Sequence, residues 1–243
     1  MEKQENIKNK KSSSTILKDS LNINKRKQIP SLYIIILIVA IAFVMIFNQW
    51  QISSLNISGN SIKIVSAQEI DKITSTGQAV ASLFPVEEIS SGEDAIAMMI
   101  PQGTPEYGGA MGISFDDPIN SMELLAKSYD AVKQDIKQNY PEVWQRYLNL
   151  ATKPVGISCE FCCGVGPIGI TKSGELRCGC QHNPAVQTLT MLLMKDTDYT
   201  DAEVLREVMR WKALFFPRDM VELALKSSGG ELETSLPGMV GGC

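Results

Sequence analysis

Five of the six cysteines and the only histidine of the chain lie within 24 residues, at positions 159–182. Their order is Cys-x2-Cys-Cys, fourteen intervening residues, then Cys-x-Cys-x-His. Thiolate sulfur and imidazole nitrogen are ligands for zinc, copper(I) and iron–sulfur clusters. Metal binding is therefore the first chemistry that this segment predicts. The candidate ligands are Cys159, Cys162, Cys163, Cys178, Cys180 and His182.

The residues around these ligands predict how they would converge. The stretch "IGITKSGELRC", 168–178, has the pattern of a short β-hairpin with a Lys-Ser-Gly turn. Asn183 followed by Pro184 predicts the start of a helix. A Cys-x-x-Cys turn, a hairpin and a helix N-terminus can together direct four ligands at one ion. The favoured set is Cys159, Cys162, Cys178 and Cys180, with His182 replacing one of them or belonging to an open site.

Other uses of the cysteines stay open at this point. Five thiols and one imidazole exceed the four ligands of zinc, and the surplus suits a second metal, a thiol-rich copper(I) site or an iron–sulfur cluster. Six cysteines outside a cell could equally form three disulfides in a structural or interaction domain. Thiol redox catalysis is a further alternative, although no βαβ pattern surrounds the cysteines. Covalent haem attachment is excluded because Gln181, and not a cysteine, precedes His182. No catalytic constellation is evident, so non-enzymatic metal binding is favoured.

The N-terminal part of the chain predicts a membrane anchor. Residues 1–30 contain eight Lys/Arg and three Asp/Glu and have the composition of a disordered tail. Residues 31–50 contain an unbroken apolar run of sixteen residues, 32–47, and predict a transmembrane helix with Tyr33 and Trp50 near its two ends. The positive-inside rule places the basic tail in the cytoplasm and the rest of the chain outside the cell. We therefore expect a single-pass protein of the cell membrane with an extracytoplasmic C-terminal domain.

The remainder of the chain is acidic, with fifteen Lys/Arg and twenty-four Asp/Glu after residue 50. This balance gives no indication of nucleic-acid binding, which needs a basic surface. Residues 51–112 predict a linker with one short helix from a capping box at Ser66 and Glu69. Residues 113–230 predict a mainly α-helical domain that contains the Cys/His loop. Residues 231–243, "ELETSLPGMVGGC", predict a flexible tail whose Cys243 is a candidate accessory thiol.

Three amphipathic patterns indicate the helices of this domain. After Pro118, apolar residues recur at intervals of three and four, and Pro141 opens a second pattern of this kind. Thr200 and Glu203 form a capping box before a third pattern, which Pro217 ends. The apolar positions are Met122, Leu125, Tyr129, Val132 and Ile136; then Val143, Trp144, Tyr147 and Leu148; then Val204, Val208, Trp211 and Phe215.

The motifs "TPEYGGAMGISFDD", "ISCEFCCG", "CGCQHN", "RWKALFFP" and the closing "GGC" lie within residues 103–243. On these motifs the chain resembles a family of membrane-anchored, mostly archaeal proteins. The "CGC" segment followed by a histidine is also similar, more distantly, to bacterial lipoproteins with a Pro-Cys-Tyr-Cys-Gly-Cys motif. The resemblance implies a common domain and the membrane anchor. It implies no reaction. The bound metal is therefore inferred from the ligands alone, and the candidates are zinc, copper(I) and an iron–sulfur cluster. A protein partner for metal exchange is inferred from the same ligands.

The charge asymmetry makes the topology testable. Protease added to intact cells should remove the domain after residue 50 and should leave a tag at the N-terminus intact, because the basic tail favours the cytoplasm. Western blots against tags at both ends measure this. Loss of the N-terminal tag with protection of the C-terminal one would overturn the predicted orientation.

Overall fold

The computed structural model describes residues 35–43, 66–230 and 234–242. The chain divides into two units, Met1–Ile57 and Ser58–Cys243. In the first unit, residues 35–43 form an exposed helix, α1. Among the residues that the structure describes, no helix is both long and apolar enough to cross a membrane. The predicted tail 1–30 and the other parts of the predicted span 31–50 lie outside the described residues.

The second unit confirms the prediction of a mainly helical fold. Residues 66–230 form ten helices and one 3-10 turn, Val86–Glu88, and the described ranges contain no β-sheet. The helices are α2 Ala67–Ile70, α3 Thr76–Leu83, α4 Gly92–Met99, α5 Gly108–Met111, α6 Pro118–Asn139, α7 Pro141–Ala151, α8 Glu160–Cys163, α9 His182–Asp196, α10 Asp201–Phe215 and α11 Pro217–Ser227.

Local sequence signals set several of these helix starts. Proline is the first residue of α6, α7 and α11, where its missing N–H costs no hydrogen bond. The capping box of α10 is complete: Thr200 accepts from the Glu203 amide, and the Glu203 carboxylate accepts from the Thr200 amide. Ser66 and Glu69 make the same reciprocal contacts at α2. These starts confirm what the sequence predicts.

Helix α9 lies at the centre of the unit and packs against α6, α7 and α10. Its sequence is apolar nearly all round, and 11 of its 15 residues are buried. The predicted apolar residues of α6 face the core, and all of them are buried except Val132, which is partly buried. The predicted positions of α10 are all buried as well. The apolar periodicity therefore identifies the core-facing sides of these helices.

Residues 66–112 are more structured than a linker with one short helix. They form four helices, and Val80, Leu83, Phe84 and Met99 are almost completely buried in the core. Gly77 weakens the helical pattern of α3, but the helix forms. A Cβ at this position would lie 3.4 Å from Leu223 of α11, in ordinary van der Waals contact.

A buried hydrogen-bonded chain ties this segment to α10. The Tyr107 hydroxyl donates to Glu207 at 2.8 Å and accepts from the Trp211 indole N–H at 2.8 Å. Tertiary contacts, and not local helix propensity, thus make the segment part of the core.

The capping box of α10 leads to a stability prediction. Thr200→Ala removes the side-chain acceptor for the Glu203 amide and should lower the free energy of unfolding by about 1 kcal/mol. Urea unfolding followed by circular dichroism measures the change. Ser66→Ala is the matched control, because the same box there serves a four-residue helix and should change the stability by less than about 0.5 kcal/mol. Equal losses of unfolding free energy in Thr200→Ala and Ser66→Ala would contradict the larger contribution assigned to the capping box of α10.

Candidate metal centre

The cysteine segment begins with a one-turn helix. Cys159 is the residue before α8, and Gly164, with a φ of +65°, ends the helix in a left-handed conformation that glycine favours. The predicted Cys-x-x-Cys turn is therefore a single helical turn. The sulfurs of Cys162 and Cys163 lie 3.6 Å apart in this turn, and Cys163 is the one whose sulfur is grouped with that of Cys159.

The hairpin predicted over 168–178 is corrected by the structure, because no strand forms in the described residues there. Two isolated bridges occur instead: Ile157 pairs in parallel with Ile168, and Ile170 pairs antiparallel with Leu176. A tight turn still connects the two cysteine groups, with the Thr171 amide donating to the Glu175 carbonyl at 2.8 Å. On the other side of Ile170, Gly169 is shared: its carbonyl accepts from the Arg177 amide at 2.9 Å, and its amide donates to the Ile157 carbonyl at 3.1 Å.

The turn at the end of this loop rests on α6 and α7. Gly174 has a φ of +82°, and a Cβ there would come within 2.6 Å of the Trp144 ring. The Tyr129 hydroxyl donates to the Gly174 carbonyl at 3.3 Å, and Lys133 pairs with Glu175 at 2.8 Å. The loop is thus anchored at its far end by the first two long helices.

Helix α9 anchors the base of the loop through two buried amides. Asn183 Nδ2 donates to the carbonyls of Gly169, at 2.9 Å, and Cys178, at 3.3 Å. Gln187, one turn later, donates to the Ile157 carbonyl at 2.9 Å. Asn183 is therefore not the cap of the helix, which begins at His182. Its side chain gives the Cys178 carbonyl a hydrogen bond and adds a second one to the Gly169 carbonyl, which also accepts from the Arg177 amide at 2.9 Å.

The same network leaves no space beside Gly169. A Cβ at this position would lie 2.3 Å from Asn183 Oδ1 and 2.5 Å from Gln187 Nε2. The Tyr147 hydroxyl of α7 completes the network by donating to Gln187 Oε1 at 2.9 Å. The loop backbone can approach α9 this closely only because residue 169 is glycine.

These anchors bring four sulfur atoms together. The sulfurs of Cys159, Cys163, Cys178 and Cys180 all lie within 4.8 Å of one another. Cys163 and Cys178 form a disulfide, whereas Cys159 and Cys180 are thiols. Cys159 is fully buried and Cys180 almost so, while Cys163 is exposed. The cluster thus lies at the edge of the core with one side open to solvent.

The two thiols are electrostatically unequal. A hydrogen bond with the Cys159 sulfur lowers the pKa of Cys180 to about 4. The same contact, together with burial, raises the pKa of Cys159. Cys180 is therefore the thiolate of the pair, and a thiolate is the form of cysteine that binds metals and attacks disulfides.

A second group of ligand atoms shares Cys180. The ligand atoms of Cys162, Cys180 and His182 also lie within 4.8 Å of one another. All six residues predicted as ligands therefore belong to one or both of these groups. Cys243, the candidate accessory thiol, lies outside the described residues.

The tail before Cys243 lies against the helices near His182. The Val240 amide donates to the Phe215 carbonyl at 2.8 Å, and the Arg218 amide donates to the Pro237 carbonyl at 3.2 Å. A Cβ on Gly241 would be 3.9 Å from His182 Nε2. Residues 234–242 thus run toward the second ligand group.

Lys212 of α10 is a functional candidate that sequence reasoning did not identify. Its ammonium group is fully buried and donates to the Gly156 carbonyl and to the Glu160 carboxylate, both at 2.8 Å. It also lies 3.3 Å from the hydroxyl of Thr76. Burial lowers the pKa of Lys212, and the carboxylate of Glu160 opposes this shift. Lys212 therefore holds both ends of the turn that carries Cys159.

No family model, curated protein or solved structure matches the chain. The chemistry of the site is therefore judged from its own atoms. The described residues contain a cysteine cluster that could hold a metal ion. The donor set is thiolate and imidazole, which suits soft or borderline metals rather than magnesium or calcium.

The amide network makes the attachment of the loop testable. Gln187→Leu leaves the Tyr147 hydroxyl and Asn183 Oδ1 without the partner that Gln187 provides, and it removes one of the two hydrogen bonds to the Ile157 carbonyl. The variant should lower the free energy of unfolding by about 2–3 kcal/mol. Tyr147→Phe, the milder control, removes one hydrogen bond and should cost about 1 kcal/mol. Urea unfolding of both variants and of the double variant tests the coupling. If the double variant lost the exact sum of the unfolding free energies that the two single variants lose, the two side chains would not share a network.

Proposed function

We propose that the second unit binds a metal ion, zinc or copper(I), through Cys159, Cys163, Cys178 and Cys180. The observation that supports this is the convergence of four sulfurs within 4.8 Å. In a tetrahedral zinc site with Zn–S bonds of about 2.3 Å, neighbouring sulfurs lie about 3.8 Å apart. The cluster therefore needs little rearrangement to surround one ion.

Metal binding at this site requires the reduced protein. The disulfide between Cys163 and Cys178 takes up two electrons, for example from a small-molecule thiol that is itself oxidised to its disulfide, and gives two thiolates. These add to the Cys180 thiolate, and Cys159 loses its proton as the ion binds. The disulfide and the metal would then be alternative ways of closing the same loop.

The role that we propose is metal handling at the cell membrane. The basic tail 1–30 and the apolar segment 31–50 support a cytoplasmic N-terminus and an extracytoplasmic domain. The exposed side of the cluster at Cys163 supports exchange of the ion with a protein partner, because a sulfur at the surface is accessible to an incoming ligand. An anchored domain with an accessible thiolate site would receive or pass on a soft metal near the membrane.

A thiol redox or electron-transfer role is the second candidate. The observation that favours it is the disulfide of Cys163 and Cys178 beside the Cys180 thiolate, because a thiolate next to a disulfide can exchange with it. An iron–sulfur cluster would use the same four sulfurs. Visible absorption of the anaerobically purified protein distinguishes these cases, because an iron–sulfur cluster is coloured and zinc and copper(I) sites are not. A disulfide-stabilised interaction domain would bind no metal after reduction.

Two serine variants of the full chain test the proposed site. Cys180→Ser should lose the metal and the rise in melting temperature that metal binding gives, because the binding free energy contributes to folding. Cys243→Ser should retain metal content and stability but exchange the ion more slowly. Metal analysis, thermal melts with and without chelator, and transfer to a chromophoric chelator measure these effects. Equal losses in both variants would make Cys243 a structural ligand.

A further inference from the structure

His182 has a buried ring nitrogen without a hydrogen-bond partner. The side chain is fully buried, and Nδ1 makes no hydrogen bond in the described part of the chain. The ring packs against Phe216 and Phe215, with centroid distances of 4.8 and 5.7 Å. Leaving a buried polar atom unsatisfied typically costs about 1–3 kcal/mol, so such an atom calls for a specific explanation.

The contact of the other ring nitrogen shows where one hydrogen of the imidazole lies. His182 Nε2 lies 2.9 Å from the Val240 carbonyl, which can only accept, so Nε2 carries the hydrogen. In the neutral ring, Nδ1 then has a free lone pair. A histidine that binds a metal commonly donates its other N–H to a backbone carbonyl, which orients the ring. The carbonyl is itself held by the hydrogen bond between the Val240 amide and Phe215.

Two sulfurs stand near this imidazole. Cys162 and Cys180 complete a group whose ligand atoms all lie within 4.8 Å of one another. Cys162 is absent from the four-sulfur group, although its sulfur lies 3.6 Å from that of Cys163. Cys162 is disulfide-bonded, so reduction must release its sulfur as well before it can bind a metal. The only residue that the two groups share is Cys180, and a thiolate sulfur has enough lone pairs to bind two metal ions at once.

On these observations we propose that the reduced protein holds two metal ions, the second bound by Cys162, Cys180 and His182 Nδ1, with the Cys180 sulfur bridging both ions. This inference rests on the proposed function and extends it from one ion to two. Three soft ligands suit a trigonal copper(I) ion, or a zinc ion with one open position. The division gives a role to all five sulfurs and to the imidazole, which a single four-coordinate ion cannot use together.

The test is the metal stoichiometry of the full chain after anaerobic reduction. Zinc is added in excess, unbound ion is removed, and bound zinc is measured by elemental analysis. The wild-type chain should retain two equivalents. Cys162→Ser and His182→Gln should each retain one, because each removes a ligand of the second ion alone. Cys162 is only partly buried, so its variant keeps the test valid if His182→Gln fails to fold.

Cobalt(II) provides a readout that a purely structural role would not change. Cobalt bound by sulfur and nitrogen absorbs differently from cobalt bound by sulfur alone, so the spectrum of the second equivalent should depend on His182. The inference would be overturned if Cys162→Ser still retained two equivalents of zinc, or if the wild-type chain retained only one. In both cases the proposed function would stand. No bound metal in the reduced wild-type chain would overturn the proposed function itself.

Discussion

The cysteine loop belongs to no sheet, and side chains of α9 and α10 hold it through its backbone carbonyls. Asn183 and Gln187 bind the carbonyls of Gly169, Cys178 and Ile157, and Lys212 binds that of Gly156. Three of these carbonyls also accept backbone amides within the segment, but the buried amide and ammonium donors of the helices would be costly to bury without them. The loop and the two central helices therefore stabilise each other, and the positions of the sulfurs depend on this pairing.

This constraint links the cysteine cluster to the fold. The fully buried ammonium group of Lys212 is stable there because Glu160, in the turn that carries the first cysteines, provides the opposite charge. A rearrangement of that turn would leave a buried charge without its partner. A metal ion bound by the cluster would therefore also stabilise the packing of the helices. The exposed side at Cys163 is the part of the cluster least restrained by these contacts.

The helices were predictable from the sequence because their signals are local. Proline starts, capping boxes and apolar residues three and four apart identify α6, α7 and α10. The contacts that hold the site are not local: Gln187 binds a carbonyl 30 residues away, and Lys212 binds one 56 residues away. In the sequence, Asn183 has the pattern of a helix cap, and no local pattern distinguishes Lys212. Only the packing of distant segments brings either residue to the cysteine cluster.

The adjacent pair Cys162 and Cys163 shows how a small change in local structure alters the chemistry. The sulfurs of Cys162 and Cys163 lie only 3.6 Å apart, yet they have different neighbours. In the single turn of α8, Cys163 is grouped with Cys159 and Cys178, and Cys162 is grouped with His182. A four-residue helix thus divides one run of cysteines between two groups of ligands, and Cys180 connects them.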